Sequence, residues 1–273
     1  MPLRSRADGT LVQNLHPVRR IMPFVMPGRN EAFVLFEQQI AVAPLRERLE
    51  RLNAHRGPEQ AATLFHLVLH GLGQTLLAFP RLDRFVAGGR LYERRGTWLA
   101  FSAKTALESD APLFTAKLAV VRDEPVGAMV DRVHALVRTE RSAPDTATER
   151  EVRPFLRLPA FLLRIGTRLM RWADGHNLLP AGFIANDPLY ASVFVANLGS
   201  VGLDAAFHHL YEYGSIPIFV TIGRVRRVAV VDDDGVVRAR EVLPLRYTYD
   251  ERIEDGFYAA RALEHLQRLL ETP

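Results

Sequence analysis

The stretch Tyr249-Asp250-Glu251-Arg252-Ile253-Glu254-Asp255-Gly256 separates two segments of opposite periodicity. Upstream, Val242 to Tyr249 is β-rich and reads as a strand. Downstream, Phe257, Ala260, Leu263, Leu266 and Leu270 recur at helical spacing and define an amphipathic final helix. The stretch is therefore a strand-to-helix loop, with the carboxylates of Asp250, Glu251, Glu254 and Asp255 around the single arginine Arg252.

Further upstream, Ser192 to Asn197, Ile216 to Ile222 and Val225 to Val231 are β-rich runs, and Asp234-Gly235 suits a hairpin turn into Val236 to Arg240. Phe33 to Val42 reads as a strand, with a helix from about Pro44 that Gly57-Pro58 breaks. Ala61 to Phe79 is a strongly apolar, buried helix stopped by Pro80. Gly88-Gly89 is a turn, and strands are expected at Thr97 to Ala103 and Leu113 to Val121. Val126, Met129, Val130, Val133, Leu136 and Val137 mark one helical face, Ser142 to Thr148 a loop, and 155–172 an apolar helix studded with arginine. This mixture predicts an α/β sandwich, with residues 1–16 as a flexible or draped arm and 17–273 as a single domain.

Of the chain's 273 residues, 48% are hydrophobic and 24% charged, the profile of a globular protein with a substantial core. With no cysteine there is neither a disulfide nor a thiolate nucleophile. The net charge is +4, but the basic residues are spread along the chain, and Lys104 and Lys117 are the only lysines. That distribution argues against nucleic acid as a partner. Met1 to Asn14 lacks the apolar run of a signal peptide, and no window approaches the roughly 20 apolar residues of a membrane span. A cytoplasmic location is expected. The helix at 155–172 has the composition of a membrane-surface helix; packing on the sheet or on a neighbouring subunit is the reading adopted, so a membrane partner is not expected.

Several apparent motifs read as structure. His66 and His70 stand at i, i+4, but Leu67 occupies the place of a zinc hydrolase's glutamate and no third ligand is indicated, so no metal is expected. Gly71-Leu72-Gly73 lies inside a helical run and is not a phosphate loop. Asp232-Asp233-Asp234-Gly235 is explained by a hairpin turn more simply than by half a calcium loop.

The order of motifs in the last third resembles one family. Ser192-Val193-Phe194-Val195-Ala196-Asn197-Leu198-Gly199 is followed by Gly202 and Asp204, then Ile216 to Arg224, then Leu243-Pro244-Leu245, then the loop at 249–256. This resembles the catalytic domain of the dihydrolipoyl acyltransferases, the core subunits of 2-oxoacid dehydrogenase complexes, and is similar to chloramphenicol acetyltransferase. Upstream, Val18-Arg19-Arg20-Ile21 and Phe65 to Asp83 extend the likeness. It implies the coenzyme A-dependent acyltransferase sandwich, a mixed sheet with flanking helices. It also implies trimers with composite sites between subunits, assembling in some members into cubic or icosahedral cages.

In that family a loop of the form D-H-R-x-x-D-G supplies a histidine that deprotonates a thiol. A serine or threonine in T-I-S-N supplies an oxyanion donor, and the aspartate before the glycine holds the loop through an ion pair. Here Asp250, Arg252, Asp255 and Gly256 match as loop-structural residues, while Glu251 stands at the histidine position and Ala196, beside Asn197, at the donor position. The resemblance thus implies a degenerate centre of Glu251, Asp255, Ala196 and Asn197. His208 and His209 are the stand-ins, although the H-H-x-x-x-D-G pattern fails after them, with Tyr213-Gly214 where Asp-Gly would fall. The expectation is a non-catalytic, self-assembling pseudoenzyme without a lipoyl or peripheral-subunit-binding domain. The alternative is an acyltransferase of altered mechanism using coenzyme A or acyl-CoA.

Overall fold

The β-runs predicted around the loop become the centre of a mixed sheet. The computed structural model describes residues 5–104, 113–142, 158–231 and 234–272. The main sheet contains β3 (Phe33–Ala41), β6 (Trp98–Lys104), β7 (Leu113–Ala119), β8 (Val193–Asn197), β9 (Ile218–Ile222), β10 (Arg226–Val231) and β11 (Val237–Asp250). Its order is β10-β11-β9-β8-β6-β7, with β3 also on β11. Strand β8 runs parallel to β6 and β9, and the remaining pairs are antiparallel.

The sequence pattern predicts two strands where β11 runs unbroken for 14 residues. Pro244 marks the change of partner: Val242 is the last residue paired with β10, and Leu245 the first paired with β9. A proline, lacking an N–H, is tolerated at such a junction, and its carbonyl accepts from the Gly223 N–H at 3.0 Å.

Period-2 alternation divides the sheet faces. Val193, Val195, Ile218, Val220 and Ile222 enter the main core. They share it with residues of α2 (Val42–Asn53), α3 (Leu64–Ala78), α4 (Val126–Ser142) and α7 (Gly256–Glu271). The alternate residues Phe194 and Phe219 form a second cluster with Leu210 and Ile216, from the segment that crosses the other face. Inside α3, a Cβ on Gly71 would lie 3.0 Å from Leu266 and Leu270 of α7, so this glycine serves close helix packing.

The N-terminal segment, read from the sequence as a flexible or draped arm, contributes two strands. β1 (Ser5–Arg6) and β2 (Gly9–Leu11) extend a small second sheet with β4 (Arg84–Ala87) and β5 (Arg90–Arg94). Arg6 fixes it through buried pairs with Asp8 and Asp174 at 2.5 and 2.6 Å. The remaining helices are α1 (Pro17–Val25), α5 (Ala160–Gly175) and α6 (Ala181–Asn186). Helix α5 buries none of its residues, so the expected packing onto the sheet does not occur. The expected loop after Ser142, the start of the helix at 155–157 and Asp232-Asp233 lie outside the described residues.

Candidate functional site

The loop after β11 is held by charge. Asp250 is fully buried and Arg252 is 2% exposed. Their side chains form a bidentate pair, with the Arg252 Nε and Nη2 donating to the two Asp250 oxygens at 2.8 and 2.7 Å. Arg252 Nη1 also donates to the carbonyls of Met26 and Pro27 at 2.9 and 2.8 Å. The Glu251 N–H donates to the Ala32 carbonyl at 2.9 Å, and Arg19 donates to the Glu251 carbonyl at 2.6 Å. The segment at 19–32 therefore anchors the loop.

Glu254, also buried, forms a second knot. Its carboxylate lies 3.3 Å from both Arg81 and Arg84 and 3.9 Å from Arg19, and its carbonyl accepts from the Tyr249 hydroxyl at 2.7 Å. Burial, with Glu254 adding negative charge, pushes the Tyr249 phenol up and keeps it a donor. Beside the knot an open cleft of about 600 Å³ is lined by Arg19, Arg81, Arg84, Glu254 and Asp255, among others.

The expected ion pair of Asp255 is weak. Its carboxylate is 59% exposed and 3.8 Å from Arg19. Its main role is to cap α7, where it accepts from the Tyr258 N–H at 2.9 Å. The buried pair that restrains the loop belongs to Asp250. A Cβ on Gly256 would meet nothing within 4 Å, so nothing in this chain explains a glycine there.

Glu251 is half-buried, and its carboxylate makes no hydrogen bond or ion pair among the described residues. Ala196 lies at the end of β8, paired with Thr221 of β9 and packed against the second cluster. Asn197 is spent locally: its side chain accepts from the Ser200 N–H at 3.3 Å. Gly199 and Gly223, from the two flanking motifs, touch; a Cβ on Gly199 would fall 2.5 Å from the Gly223 carbonyl oxygen. Asp204 and Arg224 pair across the same junction at 3.0 Å.

His208 reaches the second sheet face. It stacks on Phe219 with ring centroids 3.9 Å apart, and its carbonyl accepts from Thr248 of β11 at 2.5 Å. Its Nδ1 lies 2.8 Å from the His209 carbonyl and donates to it, leaving Nε2 as the acceptor nitrogen. Burial lowers its pKa, so the ring is neutral near pH 7. His209 stacks on His208 and is exposed. Ala196 and His208 thus converge on one sheet face, while no side-chain bond joins either to Glu251 among the described residues.

The other histidine pair is structural. The His66 Nδ1 accepts from the Thr63 N–H at 3.1 Å in a capping box. His70 Nε2 bonds the Glu124 carbonyl at 2.8 Å. Arg19 and Glu254 carry site roles that the sequence reading did not assign, although Arg19 stands in the quoted Val18-Arg19-Arg20-Ile21 motif.

The sheet, its helices and the charged loop define an acyltransferase sandwich of the chloramphenicol acetyltransferase type. Residues 186–273 match the sequence model of the 2-oxoacid dehydrogenases acyltransferase (catalytic domain), and the resemblance read from the motifs is borne out over that stretch. A curated relative is the dihydrolipoyllysine-residue acetyltransferase component of the pyruvate dehydrogenase complex of Bacillus subtilis (strain 168). It is 37% identical over 83 residues, which span 30% of this chain and 18% of the relative's length. Among solved structures, the cubic core of the pyruvate dehydrogenase multienzyme complex superposes with a TM-score of 0.61 at 17% identity, covering 95% of this chain and 92% of that one. Chloramphenicol acetyltransferase superposes with a TM-score of 0.58 at 11% identity, covering 99% of this chain and all of that one, 100%. At these identities the structures establish the fold.

Proposed function

We propose that this protein is a self-assembling member of the acyltransferase fold whose ancestral centre no longer performs thiol-dependent acyl transfer. The carrying observation is Glu251: a carboxylate with no partner among the described residues occupies the position that the family resemblance gives to the histidine base. A carboxylate is intrinsically a weaker base toward a thiol than the imidazole whose place it takes. Ala196 offers no hydrogen bond to an oxyanion. A general base contributes roughly 10²–10⁴-fold and an oxyanion donor roughly 10²–10³-fold. Asp250, Arg252, Arg19 and Glu254 preserve the shape of the loop without either group. The partner in this reading is the chain itself, as a homotrimer or a larger closed shell in the cytoplasm.

Two measurements test it together. Light scattering is expected to give a discrete closed oligomer. Transfer of an acetyl group from acetyl-CoA to dihydrolipoamide is expected at the uncatalysed rate. A clear catalysed rate that Glu251→Gln abolishes ends the proposal.

One observation favours a second reading. His208 is neutral, and its Nε2 is free to accept a proton. In an assembled oligomer it is a candidate base for an altered acyl transfer that uses acyl-CoA. A catalysed rate that survives Glu251→Gln and is lost in His208→Ala selects this reading.

A further inference from the structure

Helix α5 is attached to the body at its C-terminal end and left bare along its outer face. Asp174 accepts from Arg6, the Asn177 amide just beyond the helix donates to the Tyr92 hydroxyl at 3.1 Å, and Gly175 lies against Gly88 of the β4–β5 hairpin. On the outer side, Phe161, Leu162, Ile165, Leu169 and Trp172 are 61, 39, 56, 60 and 53% exposed. At 3.6 residues per turn these five side chains fall within an arc of about 100°. Single exposed apolar residues are ordinary, but a contiguous stripe of this size marks a contact surface.

The charges beside the stripe indicate what covers it. Arg164, Arg168 and Arg171 line one edge, all exposed, and none pairs with a carboxylate among the described residues. The only acidic residue of α5 is Asp174, which is turned to the opposite side and bonded to Arg6 at 2.6 Å. An antiparallel two-fold pairing of the helix between copies would set the same three guanidiniums against one another. An anionic lipid surface matches both features. It accepts an apolar stripe at the headgroup–acyl boundary and supplies phosphates to arginines whose stems lie along that stripe.

We propose that α5 is an interfacial helix that seats this protein on an anionic bilayer. Phe161, Ile165, Leu169 and Trp172 enter the boundary, and Arg164, Arg168 and Arg171 meet lipid phosphates. The fold presents this surface ready-made, since the helix is already formed and held at its C-terminal end. The inference does not depend on whether the Glu251 centre is active.

The test uses the full chain and vesicles of phosphatidylcholine with or without phosphatidylglycerol. Co-sedimentation with the anionic vesicles is expected, together with a blue shift of Trp172 emission that is absent in Trp172→Phe. Raising the salt weakens the binding. Arg164→Gln/Arg168→Gln/Arg171→Gln weakens it on the order of 100-fold, at about a fivefold loss per arginine. Ile165→Ser/Leu169→Ser abolishes it with the mass in solution and the melting temperature unchanged, because α5 contributes no buried residue to the core. Absence of wild-type co-sedimentation at low salt overturns the proposal. So does a change of oligomeric mass in Ile165→Ser/Leu169→Ser, which would place a second copy on the stripe.

Discussion

Removing the Asp250 carboxylate tests whether the buried pair governs the loop. In Asp250→Ala the Arg252 guanidinium, 2% exposed, keeps only the carbonyls of Met26 and Pro27. Deleting one partner of a buried ion pair costs about 3–5 kcal/mol, because the remaining charge has neither water nor a counterion. At roughly 2–4 °C per kcal/mol the melting temperature falls by roughly 6–20 °C. The double variant Asp250→Ala/Arg252→Met recovers part of the loss, since no charge stays buried. It does not recover all of it, because two carbonyls lose their donor at about 1–3 kcal/mol for each group left unpaired. Circular dichroism melts of the wild type, both single variants and the double variant close the cycle. A loss below about 1 kcal/mol in Asp250→Ala, or a double variant no more stable than the single, refutes the argument that this pair holds the loop.

Three further outcomes are expected. On the proposed function, Glu251→His with Ala196→Ser supplies a base in the loop and a donor on β8, and should raise acetyl transfer from acetyl-CoA to dihydrolipoamide by roughly 10²-fold or more over the wild type. Burial, with His134 and Arg56 adding like charge, holds His66 down at about 4 against an ordinary 6.5. The unfolded chain then binds this proton more readily, so stability present above pH 6.5 is lost as the pH falls towards 4, by about 3 kcal/mol in all; urea titrations should show His66→Gln, which keeps the capping acceptor, flattening that slope. Gly199→Ala drives a methyl to 2.5 Å from the Gly223 carbonyl and should cost about 1–3 kcal/mol in thermal melts, whereas Gly256→Ala, with open space around it, should cost under about 1 kcal/mol.

Local pattern accounts for much of the fold. The strand expected at Phe33 to Val42 is β3, the one at Thr97 to Ala103 is β6 shifted by one residue, and the last apolar repeat is α7. These elements were legible because alternation and helical spacing act over a few residues. The extent of β11 was not legible in this way. Its continuity through Pro244 depends on β3, β9 and β10, whose residues are remote in sequence, all pairing with the same strand. The N-terminal strands were likewise hidden, because Arg6 gains its buried partner Asp174 from a helix 168 residues away.

The sequence by itself determined the family resemblance, the place of the charged loop between strand and helix, and the identity of Glu251 in that loop and of Ala196 in β8. These are matters of residue identity and short spacing. The tertiary structure decided which charges meet. It gave the buried partner of Arg252 to Asp250 and left Asp255 as a helix cap. It wrapped Glu254 in three arginines from distant segments, and stacked His208 on the sheet face that carries Ala196. Among the described residues it also left the apolar stripe of α5 uncovered. An amphipathic pattern specifies that a face must be buried, but only the packing of the whole chain shows whether that chain supplies the cover.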